Sequence, residues 1–189
     1  KINSSNLCTE IIEYTDPNEV AVCNLASISL SAFVDVDKKE FDFDGLSEVT
    51  RNVVKCLNNV IDLNAYPIEK TKKSNMRHRP IGIGVQGLYD AFTMLGIAFE
   101  SKEALILNDQ IFETIYFHSL ASSVELSIED GPYKSFHGSP TSQGLLQFDL
   151  QGREKEVYAN TIVGEKRWED MKSIIKEHGL RNSLLLAPM

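Results

Sequence analysis

The chain has 189 residues, of which 42% are hydrophobic, and its formal net charge at pH 7 is −8. This length allows one well-packed domain, and no apolar run approaches the ~18 residues that a membrane span needs. The acidic balance argues against a nucleic-acid polymer as partner, because phosphate backbones are bound by clustered Lys and Arg. The three cysteines show no Cys-x-x-Cys spacing and fit neither a disulfide scaffold nor a zinc site. We therefore expect no metal ligands and a reducing, cytoplasmic location.

Residues 1–19 are polar and predict a loop, with a turn at residues 16–18 (Asp-Pro-Asn). In an extended segment alternate side chains share a face, so Asn6, Cys8 and Glu10 would point the same way. That face would offer an amide, a thiol and a carboxylate, which together suit radical or redox chemistry on a polyol. The alternative is a buried structural thiol among ordinary loop residues, since cysteine is often simply a core residue.

An apolar, β-leaning run at residues 20–33 predicts a strand that carries a second thiol, Cys23, near its start. Asp42 or Asp44 can then cap an amphipathic helix. Cys56 is expected to pack on the apolar face of this helix as a small hydrophobe. The residues predicted to form that face are spaced three and four apart: Leu46, Val49, Val53, Leu57, Val60 and Ile61.

The middle of the chain alternates polar and apolar segments. Residues 68–80 are basic and predict a solvated connection. Residues 81–85 suit a buried strand, and residues 88–95 suit a short helix. Ser101 can cap a long helix that runs to about residue 129. This helix is apolar on more than one stripe, so it should be buried on much of its circumference. Such a helix suits the outer layer of a barrel or a subunit contact.

The last third of the chain predicts a loop at residues 132–144 and a polar surface insertion at 147–166. An amphipathic helix around Trp168 should end at Gly179, and residues 183–187 predict a final strand. The alternation of strands and helices along the whole chain favours an α/β fold with parallel strands and covering helices.

One glycine pattern, Gly82-x-Gly84-x-x-Gly87, matches the dinucleotide-binding fingerprint. The fingerprint should follow a strand, but here the glycines fall inside the apolar run. The acidic residue expected about 20 residues later has only Glu100 as a candidate, at the start of a helix. We therefore prefer glycines that let neighbouring strands approach closely, and a nicotinamide-dependent oxidoreductase is a minor alternative.

Four sequence blocks resemble, in order, the large catalytic subunit of class I ribonucleotide reductase in its eukaryotic form. The resemblance implies that residues 1–189 are part of a catalytic ten-stranded α/β barrel, cut from a longer chain. Residues 1–19 would be its finger loop, and residues 20–189 would supply strand–helix units. The blocks are residues 6–10 (Asn-Leu-Cys-Thr-Glu) with 21–27 (Ala-Val-Cys-Asn-Leu-Ala-Ser), 79–88 (Arg-Pro-Ile-Gly-Ile-Gly-Val-Gln-Gly-Leu), 110–116 (Gln-Ile-Phe-Glu-Thr-Ile-Tyr) and 179–189 (Gly-Leu-Arg-Asn-Ser-Leu-Leu-Leu-Ala-Pro-Met).

The resemblance also implies roles for individual residues. Cys8 would carry the thiyl radical, Glu10 would accept a proton, and Asn6 would bind the ribose hydroxyls and assist the proton relay. Cys23 would be one half of the reducible cysteine pair, whose other half is expected upstream of this chain. The reaction implied is reduction of ribonucleoside diphosphates to deoxyribonucleoside diphosphates.

The partners that the resemblance implies are a small radical-generating subunit containing di-iron, a second large subunit in a homodimer, and an external dithiol reductant, thioredoxin or glutaredoxin. Nucleotide effectors would regulate the intact, allosteric chain, while this segment would bind no cofactor itself. The segment alone should be inactive, because it holds half of a redox pair and no diphosphate-binding loop. The main alternative is a non-catalytic α/β interaction domain held by its long helix.

Overall fold

The computed structural model describes residue 5 and residues 12–186, except for the side chain of Leu185. The predicted site residues Asn6, Cys8 and Glu10 lie outside the described residues. The strands are β1 (Leu25–Ser29), β2 (Val34–Asp35), β3 (Glu40–Phe41), β4 (Pro80–Gln86) and β5 (Ser183–Leu186). The helices are α1 (Phe43–Leu63), α2 (Glu69–His78), α3 (Leu88–Leu95), α4 (Lys102–Asp130), α5 (Gln147–Leu150), α6 (Glu154–Ala159) and α7 (Glu165–His178).

The main sheet has the order β1-β4-β5, and both strand pairs are parallel. Leu25 lies opposite Gly82 in the first pair, and Pro80 lies opposite Ser183 in the second. The short strands β2 and β3, which the sequence did not predict, form an antiparallel pair. The predicted parallel α/β arrangement is confirmed, whereas residues 12–186 form no closed barrel and the number of ten strands stays a prediction.

Helix caps and ends follow the sequence closely. The Asp42 carboxylate accepts a hydrogen bond from the backbone N–H of Gly45 at 2.8 Å, and α1 begins at the next residue. The Ser101 hydroxyl accepts from the N–H of Ala104 at 3.0 Å at the start of α4. These are the two caps predicted from short polar side chains. Gly179 ends α7 as expected.

The buried face of α1 differs from the predicted one. Val49 and Val60 are exposed, and Cys56 is exposed as well, so its expected packing in the core is wrong. Cys56 stands two residues after the fully buried Val54, about 200° round the helix. The face that is buried includes two polar side chains, which an apolar period cannot reveal: Leu46, Thr50, Val54, Leu57, Asn58 and Ile61.

Helix α4 lies between two hydrophobic cores, which explains why it is apolar around most of its circumference. Its first half packs with α1, α3 and the sheet through residues such as Ile111 and Ile115. Its second half packs through Phe117, Leu120 and Val124 against the core around Trp168. The prediction of burial on much of the circumference is therefore confirmed, although Leu105, Ile106 and Ile128 on α4 are exposed.

Three segments depart from the sequence prediction. The run at 20–33 is a strand only over β1 and continues as a 3₁₀ turn at Leu30–Phe33. The basic connection at 68–80 contains a helix, α2. The insertion at 147–166 contains α5 and α6, and it is anchored to α4 because Glu113 accepts hydrogen bonds from the Ile162 N–H and the indole N–H of Trp168.

Candidate redox site at the amino end of the sheet

Each parallel strand is preceded directly by a buried polar residue. Asn24 precedes β1, Arg79 precedes β4 and Asn182 precedes β5, with exposed fractions of 5%, 3% and 0%. Because parallel strands begin at the same edge of a sheet, the three residues lie along that edge. We call Asn24, Arg79 and Asn182 the polar framework. Cys23 lies one residue before Asn24, so its backbone is attached to this framework.

Arg79 is the centre of this framework. Its guanidinium donates to both carboxylate oxygens of Asp62, at 2.9 and 2.7 Å, and to the side-chain oxygen of Asn58 at 2.8 Å. The Asn182 side chain donates to the same Asn58 oxygen and to the backbone carbonyl of Arg79. The hydrogen bond from Arg79 lowers the pKa of Asp62 below its ordinary value. Paired in this way, the buried guanidinium connects α1 to the starts of β4 and β5.

Asn24 is held by a second chain of hydrogen bonds. Its amide donates to the side-chain oxygen of Asn75 and to the carbonyl of Pro80, both at 2.8 Å. The Asn75 amide in turn donates to the hydroxyl of Tyr66. Because Asn24 is fixed to both α2 and β4, the backbone next to Cys23 has a defined position.

The segment before Cys23 folds back on α2. The predicted turn at residues 16–18 is present: an oxygen of the Asp16 carboxylate accepts from the backbone N–H groups of Asn18 and Glu19. The buried Glu19 carboxylate accepts from the guanidinium of Arg77 at 2.9 Å. The N–H of Ala21 donates to the hydroxyl of Thr15 at 3.1 Å. These contacts return the chain on itself and bring residue 13 beside residue 23.

Cys23 is half-buried, and its thiol donates to Oε1 of Glu13 with 3.7 Å between sulfur and oxygen. Burial raises the pKa of Glu13 to about 7, although the hydrogen bond from Cys23 acts in the opposite direction. The carboxyl group therefore changes its protonation state near neutral pH. A thiol in contact with such a group can lose and regain its proton locally, as redox chemistry at sulfur requires.

The other features singled out in the sequence lie apart from this contact. Gly82 and Gly84 are inside β4, which is paired on both sides, and only Gly87 stands at the turn into α3. Two of the three glycines thus fall within a strand, so the pattern does not form a phosphate-binding turn. Within residues 12–186 no group of three His, Cys, Asp or Glu side chains could hold a metal ion.

A cavity of about 660 Å³ lies on the β5 side of the molecule, between α4, α5, α6 and α7. Its walls include Tyr116, Phe148 and Trp168, and neither Cys23 nor Glu13 lines it. Among the helices that the structure describes, none is long and apolar enough to cross a membrane.

Sequence reasoning placed Cys23 correctly near the start of a strand but missed Glu13 and the polar framework. One signal was available, because Asn24, Arg79 and Asn182 each come immediately before an apolar strand-like run. The contact between Glu13 and Cys23 had no such signal, since it depends on the turn between them.

Taken together, the chain is a parallel α/β domain that holds a thiol and an adjacent acid at the amino edge of its sheet. Residues 1–189 match the family described as ribonucleotide reductase, barrel domain, and the chain belongs to this family. The match covers the whole chain, and the resemblance seen in the sequence blocks is confirmed.

Curated relatives agree with this assignment. The chain is 55% identical over 190 residues to the ribonucleoside-diphosphate reductase large subunit of Plasmodium falciparum (isolate Dd2), with 100% of this chain and 23% of the relative covered. It is 55% identical over 188 residues to the large chain of Neurospora crassa, covering 100% and 20%, and 53% identical over 188 residues to the large subunit of Danio rerio, covering 100% and 23%. The chain thus spans about a fifth to a quarter of the length of these relatives.

Proposed function

We propose that the protein carrying this chain reduces ribonucleoside diphosphates to deoxyribonucleoside diphosphates. The observation that carries the proposal is the match of all 189 residues to the reductase barrel domain, together with relatives named as the large subunit of that enzyme. This chain would supply the thiyl-radical loop, with Asn6, Cys8 and Glu10, and one redox cysteine, Cys23.

The proposed reaction begins and ends at one sulfur. The Cys8 thiyl radical takes the hydrogen atom from C3′ of the ribose, while Glu10 accepts the proton of the 3′ hydroxyl as general base. Asn6 hydrogen-bonds the hydroxyls and orients the sugar. The 2′ hydroxyl then leaves as water, and after reduction the 3′ hydrogen is returned from Cys8, so that the radical is restored on its sulfur.

The two electrons that replace the lost hydroxyl come from a pair of thiols. Cys23 and a cysteine outside this chain would be oxidised to a disulfide, and an external dithiol such as thioredoxin or glutaredoxin would reduce it again. The position of Cys23 supports this role, because its thiol is half-buried, hydrogen-bonded to an acid and attached to a rigid strand start. A structural thiol sealed in apolar packing would have no proton acceptor.

The proposal extends to the partners and location of the intact protein. The radical on Cys8 would be generated by a small subunit containing di-iron, and the large subunit would act as a homodimer regulated by nucleotide effectors in the cytoplasm. The charge of −8 agrees with a substrate that is a single nucleotide, since binding a nucleic-acid polymer would need a basic surface.

The test uses the intact large subunit with its small subunit, a dithiol and a ribonucleoside diphosphate. Cys8→Ser and Cys23→Ser should each abolish sustained deoxynucleotide formation while substrate binding, measured by equilibrium dialysis, is retained. Cys56→Ser is the matched control and should keep wild-type turnover, because Cys56 is exposed on α1. Sustained turnover by Cys8→Ser would refute the radical role, and a wild-type protein with no reductase activity would favour the interaction-domain alternative.

A further inference from the structure

We infer that Glu13 is the proton partner of Cys23, accepting the proton of its thiol when the cysteine pair is oxidised and returning it when the disulfide is reduced. The inference rests on the proposed function, because it gives Cys23 its redox role. It assigns a catalytic residue, in direct contact with a reacting sulfur, that the sequence patterns did not reveal.

The contact between the two side chains is built by the fold. They are ten residues apart, and the thiol of Cys23 donates a hydrogen bond to Oε1 of Glu13 with 3.7 Å between sulfur and oxygen. A single antiparallel bridge between Asp16 and Glu19 closes the turn between them. On the far side, the neighbouring Asn24 is fixed to α2 and β4. The turn on one side of Cys23 and the fixed Asn24 on the other therefore keep the acid and the thiol in hydrogen-bond contact.

The charge environment leaves Glu13 able to exchange a proton. Its pKa of about 7 results chiefly from burial, so the group is divided between acid and carboxylate near neutral pH. Among residues 12–186, the guanidinium of Arg77 pairs with the buried Glu19 and not with Glu13. An acid that titrates near the working pH is the most effective proton donor and acceptor, because both of its forms are available.

Oxidation of the cysteine pair is balanced by reduction of the nucleotide. The thiols of Cys23 and its partner cysteine lose two electrons and two protons and form one S–S bond. The nucleotide gains the two electrons and, overall, two protons, and its 2′ oxygen leaves as water. The carboxylate of Glu13 takes the proton from Cys23, which makes the sulfur a better electron donor, and holds it until the disulfide is reduced. One of the two protons that the nucleotide gains therefore comes from the partner cysteine and the other from solvent.

The reduction reverses these changes. A thiolate of the external dithiol attacks the sulfur of the partner cysteine and breaks the S–S bond, and Cys23 leaves as a thiolate. Protonated Glu13 gives this thiolate its proton. The second thiol of the reductant then displaces the partner cysteine as a thiolate, so that the dithiol ends as a disulfide. Of the two protons that the dithiol loses, one goes to the partner cysteine and the other to solvent, and Glu13 is left as a carboxylate. A proton donor at the leaving sulfur should accelerate the exchange, because it stabilises the negative charge that develops on that sulfur as the S–S bond breaks.

The experiment separates the two half-reactions in the intact large subunit with its small subunit. Pre-reduced protein without added dithiol is given substrate, and the deoxynucleotide formed in one turnover is measured. The oxidised protein is then mixed with dithiothreitol, and the return of free thiols is followed by rapid quench. Glu13→Gln should form deoxynucleotide in the first turnover but be re-reduced about 100-fold more slowly, the lower end of the loss expected when a general acid is removed.

Two further variants make the result specific. Glu13→Asp keeps an ionisable carboxyl group and should recover a substantial part of the re-reduction rate. Glu129→Gln, an exposed glutamate near the end of α4, is the matched control and should behave as wild type. Thermal unfolding of each variant shows whether the fold is kept.

Re-reduction of Glu13→Gln at the wild-type rate would overturn the inference. Equal slowing in Glu13→Gln and Glu13→Asp, accompanied by a lower melting temperature, would also overturn it, because it would show a structural role only. In both cases the proposed function stands if wild type turns over and Cys23→Ser does not. Activity of Cys23→Ser, or no activity in wild type, would reject the redox role of Cys23 and with it the role of Glu13.

Discussion

The ion pair between Arg79 and Asp62 should respond unequally to loss of its two members. Arg79 is 3% exposed, whereas the side chain of Asp62 is 43% exposed. Asp62→Asn leaves a buried guanidinium without a counter-charge, which typically costs about 3–5 kcal/mol. We expect a loss of about 3 kcal/mol, at the lower end, because the carboxylate is partly screened by water.

Arg79→Met should be milder, at about 1 kcal/mol, because the buried charge is removed and Asp62 can be hydrated. The oxygen of Asn58 that accepted from Arg79 still accepts from Asn182 at 3.2 Å, so this buried group is not left unpaired. Asp62→Asn should therefore be the less stable of the two variants, because Arg79 is the buried partner.

Urea unfolding of the 189-residue chain, followed by circular dichroism, measures both free energies. Glu156→Gln is the control, since both members of its pair with Arg153 are exposed and the pair should contribute little to stability. The reasoning would be refuted by an Arg79→Met variant that is less stable than Asp62→Asn.

The same pair gives a pH dependence. Arg79 lowers the pKa of Asp62 in the folded state, so the pair stabilises the fold above the unfolded pKa of 3.8. This contribution is lost as the pH falls through the folded value. Arg79→Met should therefore lose less stability than wild type on acidification.

Three further results are expected. The pKa of Glu13 is about 7 in the folded state and 4.5 in the unfolded state. The free energy of unfolding should therefore fall by about 1–2 kcal/mol as the pH rises from 4.5 to 7. A Glu13→Gln chain that shows the same fall would contradict this expectation. Gly179→Ala should cost about 3 kcal/mol in urea unfolding, because φ is +74° and the new Cβ would lie 2.7 Å from that of Pro132. Gly138→Ala, at positive φ in open space, should cost only about 1 kcal/mol, and equal losses would argue against the clash. Cys56→Ser should change stability by less than about 0.5 kcal/mol, and a larger loss would mean that this thiol is packed.

The parts of the fold that the sequence predicted are those with a strong local signal. The caps at Asp42 and Ser101 and the stop at Gly179 are set by short-range backbone chemistry, and they were found within a residue. The strand β4 was found because its apolar run is buried on both faces.

Helix α2 was missed because little in it is hydrophobic. Its buried side chains are Thr71, Ser74 and Asn75, and Asn75 is bonded to Asn24 and Tyr66. A helix held by tertiary hydrogen bonds gives no apolar period. The acid beside Cys23 was missed for a related reason: the chain reversal that joins them is not a property of either residue.

The hydrogen bond from Asn182 to the carbonyl of Arg79 joins residues 103 positions apart. A ribosome adding ~5–20 residues per second would emit β5 roughly 5–20 s after β4. Throughout that interval one edge of β4 lacks its neighbour, and Asn58 lacks its amide donor from Asn182. Until β5 is made, the nascent chain therefore carries a bare sheet edge, which is where nascent chains are most prone to join one another.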